Sequence, residues 1–188
     1  MIFNKHLNLE GQHAFLSPSS WRWINYSIDK LYETYDNSDA AKMGTKLHAF
    51  AAQCIQLNQK LPRSKKTLNM YVNDAINYNM TPEQVLYYSE YCFGTADAIS
   101  FRDDILRIHD YKSGTTLAHM EQLEVYAALF CLEYGVKPEY IKIILRLYQN
   151  NEVTEYISSP EEINNIMDTI VMFTEALNKH DNEVQYGS

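Results

Sequence analysis

Gly94-Thr95-Ala96-Asp97, Asp110-Tyr111-Lys112-Ser113-Gly114 and the later pair Gln122 and Tyr126 gather two carboxylates, a lysine and two hydrogen-bonding side chains in one stretch of chain. Upstream, Gly44-Thr45-Lys46-Leu47-His48 adds an imidazole. Two acids and an imidazole can hold a divalent cation, and a cation beside an amine can activate water. The chemistry this predicts is metal-assisted hydrolysis.

The run Leu106-Arg107-Ile108-His109-Asp110-Tyr111-Lys112 reads as a strand. Side chains alternate with period two, so Leu106, Ile108, Asp110 and Lys112 share one face. Two apolar residues followed by an acid and a base describe a strand leaving the core for a polar pocket. Phosphodiester hydrolysis needs both of the last two: a metal ligand to neutralise charge and lower the pKa of bound water, and an amine to orient or deprotonate that water. Asp97 follows Gly94, which permits close backbone approach. A hairpin joining the Asp97 and Asp110 strands would bring the carboxylates together. Mg²⁺ takes few carboxylates plus water and phosphate oxygens, and an imidazole shifts preference towards Mn²⁺.

The residues alone leave His48 open. It lies on a helix whose apolar face is expected to include Leu47 and Ala51, so a core or boundary histidine is one reading and a ligand the other. Gln122 and Tyr126, at i and i+4, share a helix face and can donate hydrogen bonds into the pocket or to a phosphate. Glu90, on the first strand, could support Lys112 or the metal site. His109 points away from Asp110 and reads as a packing residue. His6, His13, His119 and His180 form no ligand spacing.

These residues must be positioned by the elements around them. Ser17-Pro18-Ser19-Ser20 opens a helix through Trp21, Trp23, Ile24, Ile28 and Leu31. Asn37-Ser38-Asp39 caps a second, with Met43, Leu47, Phe50, Ala51 and Cys54, and a third spans Lys65 to Tyr78. Thr81-Pro82-Glu83 reads as a break. Strands follow at Val85 to Tyr91, Asp97 to Phe101 and Ile105 to Lys112, with a turn at Arg102-Asp103-Asp104. Met120 to Tyr134 reads as an amphipathic helix stopped by Gly135 and Pro138. Tyr140 to Tyr148 and Val153 to Ile157 are strands joined by Asn150-Asn151. Ser159-Pro160 opens a last helix reaching about Leu177. The expected fold is α/β, with a mixed central sheet flanked by helices and a helical N-terminal region. Residues 1–80 form a mainly helical lobe and 81–180 the sheet, within one domain spanning 1–188.

The 188 residues suit one domain with a real core. The 46% hydrophobic and 21% charged residues are an ordinary globular balance. The N-terminus lacks a basic stretch followed by an apolar run, and no apolar segment is long enough to span a bilayer, so no membrane association and a cytoplasmic location are expected. Cys54, Cys92 and Cys131 are scattered and read as buried, reduced thiols. A net charge of −8 argues against a general nucleic-acid binder, while leaving room for an enzyme whose acidic ligands are offset by a cation. Arg63-Ser64-Lys65-Lys66 reads as a solvated helix start. P-loop, GxGxxG, GxSxG and HExxH motifs are all missing, so nucleotide, acyl-transfer and zinc-protease chemistries have no foothold.

Taken in order, GTKLH, GTAD, DYKSG and QLEVY resemble the His, GxxD, D-x-K and QxxxY motifs of RecB-like nucleases of the PD-(D/E)xK superfamily. Leu16-Ser17-Pro18-Ser19-Ser20-Trp21-Arg22-Trp23 is similar to the opening segment of phage-encoded and CRISPR-associated RecB-like exonucleases. The resemblance covers Leu16 to Ser159. It implies a restriction-endonuclease-like core. It implies that His48, Asp97, Asp110 and the Tyr111 backbone carbonyl bind Mg²⁺ or Mn²⁺, that Lys112 activates water, and that Gln122 and Tyr126 support the site.

Two departures stand out. Relatives that carry an iron–sulfur cluster use one early and three late cysteines. Here Tyr26 stands at the early position and no cysteine follows Cys131, so no iron–sulfur cluster is expected and the last helix should dock on the core instead. His109 replaces the proline of the superfamily's name.

The expectation is a metal-dependent DNA nuclease, an exonuclease on DNA ends or single strands, working alone, as a homo-oligomer or with a recombination or defence partner protein. The rival is a DNA- or protein-binding module of a phage or defence complex, with weak or absent chemistry.

Overall fold

A computed structural model describes residues 1–36, 46–113 and 118–186. The expected cap at Asn37-Ser38-Asp39, Met43, Gly44-Thr45 and Gly114 lie outside the described residues.

Five strands form one sheet in the order β1 (Thr81–Ser89), β2 (Cys92–Arg102), β3 (Ile105–Tyr111), β4 (Lys142–Gln149) and β5 (Glu152–Ser158). All neighbours are antiparallel except β3 and β4, which run parallel. Tight turns explain the hairpins. Asp103 and Asp104 both have positive φ (51° and 55°), as do Asn150 and Asn151 (52° and 61°). That is the twist-matched two-residue turn that short polar side chains tolerate. The parallel pair needs a crossover, and α4 (Glu121–Tyr134) supplies it.

The sheet is covered on both faces. On one, α4 packs on the strands and is backed by α5 (Pro160–Tyr186), with Leu106 and Ile108 of β3 and Ile143 and Leu145 of β4 in the same apolar cluster. On the other, α2 (Lys46–Gln56) and α3 (Thr67–Asn77) pack over Tyr111 and Tyr148. The α/β architecture with a mixed sheet and a helical N-terminal region is as expected. No described helix is long and apolar enough to cross a membrane. Cys54, Cys92 and Cys131 are free and buried.

Several elements differ from expectation, each for a physical reason. The first helix is two: a 3₁₀ segment, Pro18–Asn25, and α1, Ile28–Asp36. The chain turns extended at Tyr26, and the Ser27 hydroxyl accepts the Lys30 N–H at 3.3 Å, starting a new helix. Strand β1 begins at Thr81 rather than Val85. Pro82 is no break, because β1 lies at the sheet edge, where a missing N–H costs no ladder bond. Likewise β2 starts at Cys92, ahead of Asp97. Tyr140 is 74% exposed in a 3₁₀ turn, not in β4.

Helix α4 is not amphipathic. Gln122 and Leu123, then Val125 through Cys131, are all buried, because the sheet lies on one side and α5 on the other. It ends on Gly135 at φ 62°, with the Val136 N–H returning to the Cys131 carbonyl at 3.0 Å. Helix α5 docks as expected through Ile163, Ile166, Ile170, Phe173 and Leu177, but it continues beyond Leu177. There Asp181 accepts hydrogen bonds from the hydroxyls of Tyr35 (3.3 Å) and Tyr91 (2.5 Å), and His180 stacks on Tyr32 at 4.2 Å. In α2, Ala51, Cys54 and Ile55 face inward, whereas Leu47 and Phe50 are exposed rather than part of the apolar face.

Leu129 sits fully buried between the sheet and α5. Leu129→Ala is expected to lower stability by about 2–5 kcal/mol, read as a lower urea midpoint at unchanged slope.

Candidate metal centre

The β2–β3 hairpin, expected from the sequence, puts Asp97 and Asp110 on adjacent strands. Paired from Arg102↔Ile105 to Ala98↔His109, the ladder leaves Asp97 next to the end of β3, where its Oδ2 accepts the Tyr111 N–H at 2.8 Å. Asp97 Oδ1 lies 3.3 Å from Nδ1 of His48, delivered by α2. That hydrogen bond to Asp97 raises the His48 pKa, against the opposing effect of burial.

Asp110 is 2% exposed. Its Oδ1 accepts from Lys112 Nζ at 3.1 Å and from Gln122 Nε2 at 3.2 Å. Its Oδ2 is 3.0 Å from the same ammonium but lacks hydrogen-bond geometry, so this sealed oxygen keeps open lone pairs. Burial and then the Asp97 charge hold the Asp110 carboxyl above the usual carboxylate range, while Lys112 and His48 pull it down. Lys112 is fixed at its backbone, where its N–H donates to the Tyr148 carbonyl at 2.9 Å.

One member is not anticipated from sequence. Ligand atoms of His48, Glu83 and Asp97 lie within 4.8 Å of one another. The β1–β2 register, Pro82↔Ala98 and Gln84↔Ala96, sets Glu83 opposite Asp97. Its positive φ of 49° marks a local distortion of the edge strand. Glu83 sits at the exposed rim, but crowding on its inner side and then the charge of Asp97 push its carboxyl up to about 7. Thr81-Pro82-Glu83 reads from sequence as a break; the signal that could have found it is the equal offset of Glu83 and Asp97 from their hairpin.

Gln122 and Tyr126 are both buried and both turned inward. Gln122 grips Asp110, and the Tyr126 hydroxyl donates to the Thr95 carbonyl, two residues before Asp97. They buttress the carboxylates rather than reach out to a phosphate. Gly94 explains how: a Cβ there would meet Pro18 Cδ at 2.5 Å and Tyr126 at 3.3 Å, so the 3₁₀ segment, β2 and α4 close together only over glycine.

Glu90 has no place here. It is exposed in the turn after β1, on the far side of the strand's length from Glu83. His109 is a packing residue as expected. It is fully buried on the α3 side, with Nδ1 3.2 Å from the Tyr148 hydroxyl, and burial lowers its pKa to about 3. The Tyr111 ring lies between Tyr71, stacked at 5.6 Å, and His48 at 5.3 Å, walling the pocket on that side.

An imidazole nitrogen and several carboxylate oxygens, one of them buried with open lone pairs, suit a hard divalent ion such as Mg²⁺ or Mn²⁺. The described cysteines lie in the apolar clusters, which leaves thiolate ligation out of this pocket.

No protein-family model matches the chain, and no curated protein does. Among solved structures, the chain is similar to that titled "Crystal structure of SSO0001", at 16% identity, covering 77% of this chain and 83% of that one with a TM-score of 0.29. The functional reading therefore rests on the residues themselves.

Asp97→Ala is expected to weaken Mn²⁺ binding by about tenfold or more, and Glu83→Gln to weaken it less, measured by calorimetric titration. Unchanged Mn²⁺ affinity in Asp97→Ala would place the ion elsewhere.

Proposed function

We propose that this chain is a divalent-metal-dependent deoxyribonuclease of RecB-like type, an exonuclease acting on DNA ends or single strands. The observation that carries the reading is that His48, Glu83 and Asp97 bring ligand atoms within 4.8 Å of one another, while Asp97 also accepts the N–H of Tyr111, the residue between Asp110 and its ion-pair partner Lys112. The sheet, with its parallel β3–β4 pair and helices on both faces, is the layout a restriction-endonuclease-like core requires and supports the same reading.

His48, Asp97, Asp110 and the Tyr111 carbonyl would hold Mg²⁺ or Mn²⁺, with Glu83 at the rim. When bound, the ion supplies Lewis-acid stabilisation of a phosphate and a more acidic water. The protein's residues do the rest. Asp110 orients the Lys112 ammonium, whose N–H groups can align a water molecule and stabilise charge that develops on the phosphate. Gln122 keeps Asp110 from rotating, and the Tyr126–Thr95 bond holds the strand that carries Asp97. Burial of Asp110 excludes bulk water and strengthens each of these interactions.

The net charge of −8 favours the rival, a binding module that has kept the fold. One experiment separates them. With Mg²⁺ or Mn²⁺, the parent should degrade linear DNA and spare closed circles, and Asp110→Asn and Lys112→Ala should each lose about 10²–10⁴-fold in rate with unchanged folding. Digestion by both variants at the parent's rate would remove Asp110 and Lys112 from the chemistry.

A further inference from the structure

Two clefts, of about 570 and 490 Å³, meet beneath the N-terminal arm, and His6, Gln12 and His13 line both. Their floor is one row on the β1–β2 ladder. Tyr87↔Phe93 floors one cleft and Val85↔Thr95 the other, and these are successive pairs on the same face. The next position along the row holds Glu83 and Asp97. From Phe93 to Asp97 the row is about 14 Å long at about 3.4 Å per residue.

The arm is fastened on both sides of this row. At one end Gln84 Nε2 donates to the Asn4 carbonyl at 2.8 Å, the Asn4 N–H donates to the Tyr134 hydroxyl at 2.9 Å, and His6 Nε2 lies 2.6 Å from Glu133 Oε1. At the other end the Leu16 N–H donates to the Tyr91 carbonyl at 2.6 Å. The residues between cross the row as a strap, leaving a slot that runs from Glu90, in the turn after β1, to Glu83.

We propose that this slot is a single-strand subsite, in which a polynucleotide lies with its bases inward on its way to the metal-binding residues. The proposal rests on the nuclease reading above and adds the route and the strandedness of the substrate. A strap tied at both ends admits one strand and blocks a duplex. The walls carry groups that stack on bases or bond their edges: Tyr87, packed on Phe93 at 6.2 Å and on His6 at 5.6 Å, with Gln12 and His13 exposed opposite. Charge in the slot is mixed, with Lys5 set against Glu10, Glu83 and Glu90. Cations therefore do not track the backbone, and the phosphates face solvent until one reaches the carboxylates.

The test uses the full chain with Ca²⁺ and a fluorescent twelve-residue oligothymidylate, followed by anisotropy. The parent should bind it about tenfold more tightly than a blunt hairpin, with a log–log salt slope no steeper than about −1.4, the value for two neutralised phosphates on a single strand. The double variant Lys5→Glu, His13→Glu should bind it about tenfold more weakly, while Lys179→Glu, outside the slot, should match the parent. In Mn²⁺, the double variant should hydrolyse bis(p-nitrophenyl) phosphate, too small to need the slot, within twofold of the parent. Equal binding of the oligonucleotide by parent and double variant, or of hairpin and single strand by the parent, would overturn the subsite. So would a parallel fall in small-diester hydrolysis, which would assign both residues to the pocket itself. Slot-dependent binding by a parent that cleaves neither DNA nor the small diester would keep the subsite and remove the nuclease reading.

Discussion

Two carboxylates on neighbouring strands, one of them almost sealed from water, set the terms for the rest of this molecule. Dehydration and mutual repulsion both work against charge in such a pair. The chain counters with cations and donors drawn from separate elements. Lys112 reaches Asp110 from two residues along, His48 reaches Asp97 from α2, the Tyr111 N–H caps Asp97, and the Gln122 amide steadies Asp110. Each partner also excludes water, so the pocket is stable only as a set. Removing one partner of a buried charge typically costs about 3–5 kcal/mol, because the other is left uncompensated.

That demand shapes the scaffold. The β2–β3 hairpin supplies both acids at a fixed spacing, and the parallel β3–β4 pairing anchors Lys112 through Tyr148. The crossover helix must then pass directly over Asp110, which is how Gln122 comes to bond it. With the sheet below and α5 above, that helix has no solvent face to speak of, and its sequence is apolar nearly all round. Gly94 is the point of closest approach in the arrangement, where the N-terminal segment and Tyr126 both press on β2.

Much of this is legible in the residues alone. Alternation along Leu106–Lys112 puts Asp110 and Lys112 on one face, and the polar turn at Asp103-Asp104 implies the hairpin. Gly135 marks the end of α4. What cannot be read depends on tertiary neighbours. Glu83 is hidden because Pro82 imitates a break between elements unless one knows that the strand is a sheet edge. The length of α5 depends on Tyr35 and Tyr91, hydroxyls far away in sequence that converge on Asp181. The buried character of α4 is hidden because Gln122 and Tyr126 look like a polar stripe, and only a specific partner for each turns them inward. Helical spacing groups Tyr126 with the pocket, which is right about its side of the helix and silent about its hydroxyl's target.

The parallel crossover also governs when the pocket comes into being during folding. A hairpin closes locally and fast, whereas joining β4 to β3 requires an intervening helix to form and settle first. Asp97 and Asp110 can therefore find each other early, while the Tyr148 carbonyl and the Gln122 amide arrive only with the long-range contacts. A nascent or half-folded chain holds the acids without their fastenings. Completion of the pocket is thus a late event, coupled to formation of the whole cooperative unit.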